Sequence, residues 1–110
     1  MNRLPVSQAA AGLLRAVLDR AGTESNRILL TGIRSSDWRS LTMEGERHRI
    51  TLRLPPPAPE ALLRAVTGGI EEAEFAIPGQ IVADIGVAGR PLTGPDGSLT
   101  VTIEALTIVE

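Results

Sequence analysis

The stretch from Ser35 to Leu54 gathers the side chains of this 110-residue chain that are best suited to chemistry. It holds the one tryptophan, Trp38, and the one histidine, His48, with Asp37, Arg39, Glu44, Glu46, Arg47 and Arg49 around them. An imidazole with an unperturbed pKa of about 6.5 suits general acid–base work at neutral pH. In that reading Asp37 or Glu46 orients His48, while Arg47 and Arg49, beside Arg39 and Trp38, hold an anionic ligand. The competing reading is structural: His48 sits at the rim of a core beside Leu41, and the Arg and Glu residues pair across strands. No catalytic motif surrounds the histidine, which favours the structural reading.

Missing residue types exclude more than the present ones assert. The chain has no Cys and no Tyr, and all 11 of its basic residues are Arg. Without Lys there is no Schiff base and no phosphate-loop lysine. Without Cys there is no thiol nucleophile, iron–sulfur ligand, thiolate zinc site or disulfide. One His rules out sites that need two from one chain, and His48 with Asp37 and Glu46 has no recognised metal-ligand spacing. Ser35, Ser36 and Ser40 lack a nucleophile-elbow context. Thr67-Gly68-Gly69 ends a helix instead of opening one, so no phosphate loop follows. No cofactor is expected, and no metal.

The elements that must position these residues follow from periodicity. Ala10, Leu13, Leu14, Val17, Leu18 and Ala21 mark an amphipathic helix over Ser7 to Ala21, with Ser7 as N-cap and Gly22 as stop. Arg27 to Arg34 reads as a strand, Ser35-Ser36-Asp37 as a turn, and Trp38 to Met43 as a weaker strand. Glu44-Gly45 fits a two-residue hairpin, Gly45 supplying a positive φ. Glu46 to Leu54 then alternates, with His48, Ile50, Leu52 and Leu54 on one side and Arg47, Arg49, Thr51 and Arg53 on the other. In this register Met43 faces Glu46 and Leu41 faces His48.

A second helix is expected over about Pro59 to Thr67, burying Leu62, Leu63 and Val66, with Pro59 in its first turn. Phe75 and Ile77 should tuck under the end of the sheet. Gln80 to Ala88 reads as a strand with Ile81, Ala83, Ile85 and Val87 on one face and Val82, Asp84 and Gly86 on the other. Leu99 to Val109 is the last strand, with a bulge at Ala105-Leu106 where its inward set passes to Leu106 and Ile108. Leu-Leu-Arg-Ala-Val recurs at Leu13–Val17 and Leu62–Val66, a faint repeat in a composition where coincidence is easy.

These patterns define one α+β domain over residues 1–110: a two-layer sandwich with an antiparallel sheet of four to five strands and two helices on one face. The order αββαββ is a circular permutation of the ferredoxin-like plait, a likeness of element order alone. The open face is expected to carry Thr51, Arg53, Val82, Asp84, Thr100, Thr102 and Glu104, candidates for an interface with a second copy or a partner, and the last strand could pair edge to edge. Trp38 beside Arg39 suits an interface anchor or a cap on the core. No aromatic residue is expected on that face, and the net charge is −2 with a pI near 5.4, so nucleic acid is not an expected partner. The opening segment lacks a signal-peptide core and no stretch is long enough to span a membrane, so a cytoplasmic protein without membrane attachment is expected. Exclusive use of Arg with abundant Ala fits a GC-rich bacterial genome. The functional expectation is a non-enzymatic module that forms a homodimer and binds a protein or small ligand. The alternative is a small enzyme or anion-binding protein built on His48, Asp37, Arg47 and Arg49.

Overall fold

The computed structural model describes residues 6–110. Helix α1 (Gln8–Asp19) leads through a 3-10 turn (Gly22–Arg27) into β1 (Leu29–Arg39) and β2 (Glu44–Leu54). Helix α2 (Pro59–Thr67) and a 3-10 turn at Ile70–Glu72 precede β3 (Gln80–Val87), the two-residue β4 (Leu92–Thr93) and β5 (Leu99–Val109). The strands form one antiparallel sheet in the order β1-β2-β5-β3, and β4 also pairs with β5. The architecture is α+β, and no helix among the described residues is long and apolar enough to cross a membrane.

Both helices form where periodicity places them, although α1 ends at Asp19, short of the expected end at Ala21 and stop at Gly22, and α2 starts at Pro59 without a side-chain cap. The Ser7 side chain accepts the Ala10 N–H at 3.1 Å, satisfying a donor that the first turn leaves open. Leu13 and Val17 of α1 and Leu62 and Val66 of α2 join Ile50, Leu52 and Leu54 of β2 and Val101, Ile103 and Ala105 of β5 in one buried cluster. Close approach fixes α1: a Cβ on Gly12 would come within 2.8 Å of Ile77 Cγ2. Arg20 fastens the end of α1 to the end of α2, donating to the Val66 carbonyl at 2.7 Å and to the Gly68 carbonyl. Phe75 and Ile77 pack at this core as expected.

The first hairpin differs from the sequence reading. β1 runs unbroken through Ser35-Ser36-Asp37, and the turn is Ser40–Met43, leaving Arg39 opposite Glu44. The Met43 carbonyl accepts the Ser40 N–H at 2.9 Å, and the Met43 N–H donates to Ser40 Oγ at 3.1 Å. Local turn propensity of Ser-Ser-Asp yields here to pairing along the full length of β2. Leu41 and Met43 consequently lie in or beside the turn and are exposed, and His48 faces Ser35 in place of Leu41. Gly45 has no positive φ; it lies within β2, where an added Cβ would be driven into the Thr107 carbonyl oxygen. Its lack of a side chain serves a close strand approach, not a turn.

The second correction concerns the bulge. β5 pairs with β2 without interruption from Leu99 to Ile108, so Leu106 and Ile108 stay on the open face and Thr107 on the inner one. Register shifts fall instead in β1, between Leu30 and Gly32, and in β3, between Val82 and Asp84. In β3 one extra residue, Ala83, reverses the alternation that the sequence reading carried through the strand. Val82 therefore packs against the core instead of facing out, and Ile81 is 51% exposed. The last strand is central, with neighbours on both sides, so it offers no free edge; among the described residues the edge strands are β1 and the shorter β3.

Candidate functional site

The two faces of β2 separate the residues first grouped as one candidate site. His48 lies on the inner side in a row with Ser35, Ala105 and Ile85. It is 3% exposed, and both ring nitrogens are engaged: Nδ1 with Ser35 Oγ and Nε2 with Thr107 Oγ1, each at 2.7 Å. One nitrogen of the neutral ring donates and the other accepts, and the two hydroxyls adapt. Burial pushes the His48 pKa down, since the charged ring would lose water; nearby Glu46 opposes this in part. Hydroxyls, not Asp37 or Glu46, hold the ring. Glu46 instead accepts from Ser7 Oγ at 2.7 Å, tying β2 to the start of α1. Arg39 and Glu44 form only a loose, exposed ion pair at 3.9 Å.

The arginines sit on the other side of the sheet. Strand pairing orders the open face into rows across β1, β2, β5 and β3: Trp38, Gly45, Ile108, Ile81; then Ser36, Arg47, Leu106, Asp84; then Arg34, Arg49, Glu104, Gly86. Gly32, Thr51 and Thr102 follow, and the far end holds Leu29, Arg53, Thr100 and Leu92. Thr51, Arg53, Asp84, Thr100, Thr102 and Glu104 are all here, where alternation put them. Trp38, half-buried and outside the core cluster, supplies the one aromatic that the sequence reading left off this face.

Charge is divided laterally. β1 and β2 contribute Arg34, Arg47, Arg49 and Arg53; β5 and β3 contribute Glu104 and Asp84. Glu71 lies beside Gly86, its carboxylate 3.8 Å from where a Cβ would project. Arg49 donates to Glu104 at 2.6 Å. Arg53 donates to Asp96, whose carboxyl is pulled down to about 2 chiefly by hydrogen bonds from the Ser98 hydroxyl and N–H, with Arg53 adding to them. Arg34 and Arg47 form no ion pair among the described residues.

A hollow of about 380 Å³ opens among Arg34, Ser36, Arg47, Arg49, Asp84 and Glu104, with Ser35, His48 and Ala105 also in its wall. Sequence reading found Arg47 and Arg49 but missed Ser36, which the assumed turn at Ser35–Asp37 removed from the sheet, and Arg34, which it placed at a strand end with no partner assigned. The signal was the alternation Ile33, Ser35, Asp37 against Arg34, Ser36, Trp38. Among the described residues no group of three or more Asp, Glu or His side chains is arranged to hold a metal ion.

No protein-family model matches the chain, and no curated protein is significantly similar to it. Its chemistry must therefore be argued from this surface.

Proposed function

We propose that this protein is a non-enzymatic binding module that associates with a second copy of itself through the open face of its sheet. The lateral division of charge carries the reading. A two-fold axis lying in the interface, parallel to the strands and between β2 and β5, would set each chain's β1–β2 half over its partner's β5–β3 half. Arg49 would then lie over Glu104, Ser36 over Asp84, Trp38 over Ile81 and Leu29 over Leu92. Cations meet acids in the middle, and apolar side chains meet at both ends, half-buried Trp38 with exposed Ile81 and exposed Leu29 with exposed Leu92. An in-plane axis perpendicular to the strands would instead bring Arg against Arg. The face measures roughly 600 Å² from a strand spacing of about 4.8 Å and a rise of about 3.3 Å over about ten residues. That is somewhat below the roughly 800 Å² per partner of standard interfaces, so the dimer is reversible.

The fold reading is consistent with this use. The strand order β1-β2-β5-β3, with antiparallel neighbours throughout, is the order a circularly permuted ferredoxin-like plait would have. Helices whose apolar sides share one core with the inner face fit two layers, leaving the other face for a partner. A catalytic His48 draws less support, since both ring nitrogens already have partners within the fold.

Sedimentation velocity over a concentration series tests the reading. Dimer should form at high micromolar concentration, and Trp38→Ala and Ile81→Gln should each shift it to monomer without unfolding. The absence of Cys permits a direct check of this face: a Thr102→Cys variant, whose two copies would lie beside the axis, should give cross-linked dimer with a short bismaleimide, and Leu41→Cys should not. A wild-type chain that remains monomeric throughout the series would reject the proposal.

A further inference from the structure

The centre of the open face has a property that its own chain does not compensate. Arg34 and Arg49 are direct cross-strand partners, and Arg47 is their neighbour on the same face. Like charges in such positions destabilise a sheet. Glu104 neutralises Arg49, but Arg34 and Arg47 have no carboxylate partner among the described residues. Between them stands Ser36, and the space in front is the hollow of about 380 Å³. That volume falls in the range of small-ligand sites.

We infer that Arg34, Ser36 and Arg47 form a binding site for a phosphate-bearing small molecule. Guanidiniums approaching from two strands, with a hydroxyl between them, offer donors from separate directions. A tetrahedral anion with three acceptor oxygens can use all of them, whereas a planar carboxylate matches a single guanidinium fork. Asp84 stands on the opposite wall and opposes the anion, but the guanidiniums of Arg34 and Arg47, unpaired among the described residues, outweigh it, and they favour a ligand carrying more than one negative charge. Under the dimer proposed above, the partner's Asp84 would lie over Ser36, where the phosphate binds. On that reading the ligand and the second copy compete for the same arginines, and phosphate releases the dimer.

The probe is pyrophosphate, titrated by calorimetry at constant ionic strength into the dilute chain and into Ile81→Gln. Saturable binding of one pyrophosphate per chain is expected, at least tenfold weaker in Arg34→Gln or Arg47→Gln and unchanged in Arg15→Gln on exposed α1. Backbone amide spectra of each variant establish that the fold is retained. Asp84→Asn separates this site from the dimer: it should tighten pyrophosphate and weaken self-association. Absence of saturable binding, equal binding in the Arg34, Arg47 and Arg15 variants, or citrate binding more tightly than pyrophosphate would overturn the inference. Because the dilute chain and Ile81→Gln are monomeric, a failed dimer leaves the titration readable, and a failed titration leaves sedimentation to judge the dimer.

Discussion

Arg49 and Ile50 are neighbours in β2, yet they experience different solvents. Ile50 is fully buried and paired with Ile103 beneath the helices, while Arg49 lies more than half exposed and reaches Glu104 across the outer surface. Burying an aliphatic side chain of this size contributes about 1.5–3 kcal/mol. An exposed ion pair contributes about 0–1 kcal/mol, and salt screens it. The inner face thus holds the fold, and the outer face is free to carry charge for another purpose. His48 belongs energetically with the first group and Arg47 with the second, although they too are adjacent in sequence.

The contrast breaks most visibly at its extremes. Ile50→Ala should lose about 2–5 kcal/mol in urea unfolding, a large part of a small domain's stability, because it leaves a cavity under both helices. Arg49→Ala should lose less than about 1 kcal/mol in the same measurement. Equal losses would show that the outer face is structural after all. Next in size is Gly45→Ala, expected to cost about 1–3 kcal/mol because its methyl group meets the β5 backbone, where no flexible side chain can yield.

His48 sharpens the comparison through pH. Its folded-state pKa lies below the unfolded value, so the unfolded chain takes up the proton more readily. Stability should therefore fall as pH drops below about 6.5, until the folded-state ring also titrates. His48→Leu should abolish that slope and cost about 1–3 kcal/mol at neutral pH by stranding the buried Thr107 hydroxyl. A slope unchanged in this variant would mean that another group controls the acid limb. The smallest effect is expected at Ala58, the one non-glycine residue with a left-handed backbone among those described, at φ 62°. Ala58→Gly should raise the melting temperature slightly, by a gain of under about 1 kcal/mol, since relief of the Cβ clash is partly offset by backbone entropy.

Much of this arrangement was legible in the sequence. Helix α2 spans the expected residues, α1 is capped by Ser7, and Ile50, Leu52, Val101 and Ile103 are buried while Thr51, Arg53 and Thr102 face out. Each of these follows from a period that the chain itself carries, because one buried face suffices to fix which alternate residues are apolar. The α+β class and the antiparallel sheet follow in the same way.

Register could not be read so directly. Ser35-Ser36-Asp37 and Glu44-Gly45 both resemble turns locally, and only the competition among strand pairings moved the turn to Ser40–Met43. The bulge at Ala83 depends on how β3 meets β5, and its single extra residue sends Val82 inward and Ile81 outward. The assembly of Arg34 with Arg47 and Arg49, and the placing of Trp38 over Gly45, wait on the same pairings. Periodicity is a property of one strand and is written along it. Which residue of a neighbouring strand lies opposite is settled by the whole sheet closing over a shared core, and the outer surface inherits that decision.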